Sequence, residues 1–92
     1  MQLKNYNNSS NPEFLNNYLV HLKVVQMLSE RTISEYYFDV RLFLKYIHKN
    51  NTNSNIETID INISDMSVDE LKSISVKDVY NFIFYVADER QN

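Results

Sequence analysis

The sequence predicts an all-α protein, a small bundle of three main helices plus a short helical turn. Three observations carry this. Apolar residues recur at spacings of three and four over three separate stretches. The 92 residues include no glycine, which counts against tight-turn β folds. The one stretch that alternates apolar and polar, residues 56–63, has no second run to pair with, so a strand there would leave its backbone unsatisfied and an extended loop is expected.

The first helix is expected from Asn11, read as the cap, with Pro12 at the first helical position, where a missing N–H costs nothing. Phe14, Leu15, Tyr18, Leu19, Leu22 and Val25 form its apolar face, and the period carries it to about residue 28. Ser29 caps a second helix, with Glu30 in its positive first turn. Ile33, Tyr36, Tyr37, Val40, Phe43, Leu44 and Ile47 give that helix the most regular period in the chain, to about residue 49. A loop follows over roughly residues 50–66. Ser67 and Glu70 then have the spacing of a capping box and open a helical turn through Leu71. Ser75 and Asp78 repeat that spacing with the shorter acid and open a final helix to about residue 89, with Val76, Val79, Phe82, Ile83 and Val86 facing inward. Residues 1–10, rich in asparagine and serine, read as a flexible tail, and 11–92 as a single domain.

Composition excludes most chemistry. Without cysteine there is no zinc finger, redox dithiol or thiol nucleophile, and without glycine no phosphate-cradling loop. His21 and His48 lie far apart on different helices in no metal-binding spacing, and each reads as a surface residue. Asp60, Asp65, Asp69 and Glu70 lack the glycine and alternating oxygen ligands of a calcium loop. Seven tyrosines have no clustered arginine and histidine partners to activate one of them. No cofactor, metal or small-molecule substrate is expected. The N-terminus carries no apolar run, so no signal peptide or membrane span is expected and the protein reads as cytoplasmic.

The net charge of −3 hides a polarised chain. Residues 20–50 carry Lys23, Arg31, Arg41, Lys45 and Lys49 against Glu30, Glu35 and Asp39, whereas the second half is acidic. At 100° per residue, Arg31, Ser34, Phe38, Arg41, Lys45 and Lys49 fall on one flank of the second helix. Such a stripe suits duplex DNA, its cations meeting phosphates and its hydroxyl donating hydrogen bonds. It equally suits a solvated face whose cations pair with Glu30, Glu35 and Asp39. Phe38, Leu42, Phe84 and Tyr85 fall on exposed sides of their helices, which leaves open a partner surface.

Residues 14–47 carry a more specific pattern: Ser29 and Thr32 in a Ser-x-x-Thr turn, then Tyr36, Asp39, Val40, Phe43 and Tyr46 at helical spacing. Residues 69–92 add an Ile-Ser cap before an acidic, apolar helix. This combination resembles the N-terminal core-binding domain of tyrosine recombinases, the phage-integrase and Xer-like family. The resemblance implies a SAM-like helical bundle that clamps duplex DNA opposite a separate catalytic domain and works alongside other recombinase protomers. It places Thr32 and Tyr36 near the DNA backbone, with Arg31, Arg41 and Lys45 as charged contacts; the wheel adds Ser34 and Lys49 and leaves Tyr36 at the edge of the apolar face. The resemblance also implies that the family's catalytic arginines, histidine and tyrosine, and its basic fourth helix, are not among these residues, so the chain is not expected to be an enzyme by itself. The alternative is a helical protein-interaction or self-association module that docks through Phe38, Leu42 and Tyr85.

Overall fold

The computed structural model describes residues 10–91. Its helices are α1 (Glu13–Val24), α2 (Glu30–Thr52), α3 (Val68–Lys72) and α4 (Val76–Gln91), with a 3-10 turn at Thr58–Asp60 between α2 and α3. No strand occurs among the described residues. The expected tail, save Ser10, lies outside them.

Helix α1 starts one residue later and stops four residues earlier than its periodicity suggests. Pro12, with extended backbone, occupies the cap position that the sequence assigns to Asn11, and no side chain caps this end. Its carbonyl instead accepts the N–H groups of Leu15 and Asn16. Asn11 turns inward and is buried. At the other end Met27 adopts a φ of 55°, a left-handed conformation that stops the helix, and the Leu28 N–H donates to the Leu22 carbonyl. In a chain without glycine, such reversals fall to residues that carry a Cβ, at a cost of about 1–2 kcal/mol each. Asn53, with φ 52°, ends α2 in the same way, and asparagine tolerates this region better than most.

Ser29 caps α2 as its position predicts, its hydroxyl accepting the Thr32 N–H at 3.2 Å. Ile33, Leu44 and Ile47 are its buried residues. The helix runs three residues past Lys49, and Thr52 returns its hydroxyl to the His48 carbonyl.

The connection from α2 to α3 is part of the core. Ile61, Ile63 and Met66 are buried with Leu15, Leu19, Leu22, Ile33 and Leu44. Ile56 and Ile59 in the same stretch stay exposed. The period-2 alternation is real at Ile61 and Ile63, but it serves an extended segment lying on α1 and α2 and makes no sheet.

Helix α3 begins at Ser67, whose hydroxyl accepts the Glu70 N–H at 3.1 Å. Helix α4 begins with a full capping box: the Asp78 N–H donates to the Ser75 hydroxyl, and the Ser75 N–H donates to the Asp78 carboxylate at 2.9 Å. Its inward face differs from the expected one. Phe82, Tyr85 and Val86 are half-buried, whereas Val76, Val79 and Ile83 are exposed. Aromatic packing sets this rotation. Phe82 meets the edge of Phe43 at 5.0 Å between ring centroids, and Tyr46 lies 5.1 Å from Tyr85. Rings of this size dominate a helix contact, so α4 turns Phe82 and Tyr85 toward α2 and leaves Val76, Val79 and Ile83 outside.

Candidate nucleic-acid interface

The cationic flank of α2 is divided by the structure into an open end and a built centre. Arg31, in the first turn, is 91% exposed and lies 3.6 Å from Glu35 one turn on. It is a solvated surface pair of the kind that contributes little. Thr32 sits inside the Ser29 cap, its hydroxyl oxygen accepting from the Ser29 hydroxyl at 3.0 Å. Ser34 is half-buried. Tyr36, which the wheel puts at the edge of the apolar face, is exposed. Lys49 is half-buried, and its carbonyl receives the Ser54 N–H at the helix end.

Arg41 and Lys45 point outward on the wheel, but both are half-buried. Arg41 donates from Nη1 to the side-chain oxygen of Asn11 and lies over the Tyr37 ring, its Cζ 5.6 Å from the centroid. Tyr37 donates its hydroxyl to the same Asn11 oxygen at 3.3 Å. One turn further, Lys45 donates to the carbonyl of Ile59 at 2.6 Å, which ties α2 to the 3-10 turn. Burial holds the Lys45 ammonium below the ordinary lysine pKa, the Arg41 charge lowers it further, and Asp60 partly opposes both. The tertiary fold thus holds two cations on neutral hydrogen-bond acceptors, an amide and a peptide carbonyl, with the Tyr37 ring beside Arg41 and the Asp60 carboxylate near enough to act on Lys45.

The sequence singles out Arg41 and Lys45 as candidates but does not show the groups that hold them. Tyr37 is one helical turn before Arg41, so its proximity is readable from spacing. Asn11 and Ile59 lie far away along the chain, and no local pattern announces them.

His48 is not the surface residue that its position suggests. Its side chain is 17% exposed, with Nδ1 2.8 Å from Glu70 and Nε2 3.8 Å from Asp65. The helix period places it beside Ile47, and α3 then folds over it. His21 is exposed, as expected. Of the four apolar residues expected outside, Phe38 and Phe84 are exposed. Tyr85 packs on Tyr46, and Leu42 is half-buried in a cleft of about 370 Å³ that it shares with Phe82 and Val86. Among the described residues no group of histidines, cysteines and acids could hold a metal ion, and no helix is long and apolar enough to cross a membrane.

Comparison with known proteins adds a relationship to this geometry. The model of the phage integrase N-terminal SAM-like domain matches residues 15–72, from the first turn of α1 to the end of α3. The chain is also similar to tyrosine recombinase XerC of Caldanaerobacter subterraneus subsp. tengcongensis, at 30% identity over 88% of its own length. That match covers 24% of the relative, so the chain spans about a quarter of the protein it resembles. No solved structure matches it.

Proposed function

The chain belongs to the phage integrase N-terminal SAM-like domain family, and on that premise we infer that it is the duplex-DNA clamp of a tyrosine recombinase. In this reading the domain positions DNA for strand exchange, and the cleavage chemistry belongs to a separate catalytic domain. The other protomers of a recombinase assembly would be its protein partners.

The observation that carries the reading is the Arg41 and Lys45 pair. A cation that only solubilises a surface either moves freely or pairs with a carboxylate, as Arg31 does with Glu35. Arg41 and Lys45 are instead held by neutral hydrogen-bond acceptors, one turn apart on α2, and neither is hydrogen-bonded to a carboxylate in these contacts. Two like charges held this close gain from an anion placed between them, and a phosphodiester backbone supplies anions in a row. Arg31, Thr32, Ser34, Tyr36 and Lys49 lie along the same helix and would extend the contact. Released counterions make such binding steeply salt-dependent.

Duplex binding measured across a salt series tests this. Replacing Arg41 and Lys45 together by glutamine is expected to weaken binding and to lower the salt slope by about two, one for each phosphate contact. Salt-independent binding, or an unchanged slope in the double variant, would overturn it.

A second reading has its own observation. Ile83 is exposed and lines the cleft that also holds Leu42 and Phe82, and Phe38 on α2 and Phe84 on α4 are exposed as well. An apolar surface of this kind fits a helical protein partner or a second copy. Sedimentation at several concentrations separates the self-association version, which requires a mass that grows with concentration.

A further inference from the structure

We propose that Asn11 is a positioning residue for the cationic face: its neutral side-chain amide sets the orientation of the Arg41 guanidinium while leaving the arginine's charge available to a phosphate. The proposal rests on the DNA-binding reading above and assigns the control of that face to a residue outside α2.

Asn11 is a polar residue only 4% exposed, in a place where an apolar residue could have closed the same gap between α1 and α2. Buried amides persist where their hydrogen bonds are made. Here Nδ2 donates to the Asn16 side chain in the first turn of α1, at 2.9 Å. The opposite atom, Oδ1, accepts from both Tyr37 and Arg41. The amide therefore bridges the start of α1 to the middle of α2, and its orientation is set by groups on both helices.

The consequence for Arg41 is geometric. A guanidinium carries five N–H donors in one plane. Asn11 takes one of them and the Tyr37 ring lies 5.6 Å from Cζ, so two contacts restrict the guanidinium while its other donors stay available. An arginine held in this way loses less side-chain freedom on meeting a phosphate than one free in solvent.

The choice of an amide rather than a carboxylate is what keeps the face cationic. Aspartate at this position would have nearly the same shape and would hold Arg41 at least as firmly, but it would neutralise the charge. Arg31 illustrates the difference, because it lies 3.6 Å from the Glu35 carboxylate. The Arg41 charge is, by contrast, felt by Lys45, whose ammonium it disfavours after burial has already done so.

The test uses the whole chain and a duplex probe in a salt series, with Arg41→Gln as reference. Asn11→Asp is expected to lose about tenfold in affinity, as the reference does, and to lower the salt slope by about one. Its thermal melting point should be equal to or above the wild type's. Asn11→Ser keeps neutrality but cannot span the gap. It is expected to lose about two- to tenfold in affinity with the wild-type slope, since the charge remains and only its placement is lost. Wild-type affinity and slope in Asn11→Asp, while Arg41→Gln loses both, would overturn the role of Asn11 and leave the DNA-binding face intact. Equal or higher affinity in Asn11→Ser would overturn it too. If Arg41→Gln itself binds like the wild type, the face is not a phosphate site, and both readings fall.

Discussion

His48 and Glu70 meet across the junction of α2 and α3, with imidazole Nδ1 2.8 Å from carboxylate Oε2 and both side chains largely shielded, at 17% and 16% exposed. Asn51 donates to the same carboxylate at 2.8 Å. Glu70 thereby gives up the usual second half of its capping box. Its N–H is held by Ser67, but its carboxylate reaches across to α2 and not back to the cap.

Glu70→Ala should therefore destabilise the domain more than the loss of a surface charge would. It removes the acceptor of two hydrogen bonds and leaves a shielded imidazole without its carboxylate, a loss of about 1.5–3 kcal/mol. A thermal melt should move down by at least about 5 °C. An unchanged midpoint would mean that the α2–α3 junction is held by its apolar contacts alone.

The buried part of the connection makes a second prediction. Ile63→Ala empties a site that is 0% exposed and should cost about 2–5 kcal/mol. Ile59→Ala, in the exposed part of the same segment, should stay within about 0.5 kcal/mol. Equal denaturant midpoints for the two would show that the segment is a spacer and not part of the core.

Ser29→Ala removes the hydroxyl that accepts the Thr32 N–H and donates to the Thr32 side chain. The expected cost is about 1 kcal/mol, with most of it restored in Ser29→Asp, which can still accept. Because Thr32 is also a proposed backbone contact, Ser29→Ala should weaken duplex binding as well. Chemical denaturation and DNA titration of the same two variants check both effects.

Lys45 gives a pH prediction with a definite sign. Its pKa is lowered from 10.5 in the folded state, chiefly by burial and next by Arg41. Between the folded and unfolded pKa values the unfolded chain binds more protons, so stability rises with pH across that window. Below it the cost of burying the charge is fully present, and above 10.5 it is gone. Measured against Lys45→Met, the wild type should gain stability as pH climbs toward 10.5. A stability difference that stays flat over that range would mean that the ammonium is as well solvated in the fold as in the unfolded chain.

The sequence by itself determined that the helices form and which serines cap α2, α3 and α4, because these depend on neighbours three or four residues away. Ser29, Ser67 and the Ser75–Asp78 pair all cap as their spacing implies. The family was legible too, since its pattern of Ser29, Thr32, Tyr36, Asp39 and Phe43 lies within one helix and its cap. Errors appear wherever a distant residue decides. Asn11 has the chemistry of a cap but is drawn inward by Tyr37 and Arg41, which the fold brings to it from α2. The face of α4 is chosen by the rings of Phe43 and Tyr46, and a helical wheel contains no partner helix. The charges of Arg41 and Lys45 could be counted in the sequence; that their hydrogen-bond acceptors are neutral was decided only by tertiary structure, because an amide 30 residues away and a peptide carbonyl have no signature in a charge pattern.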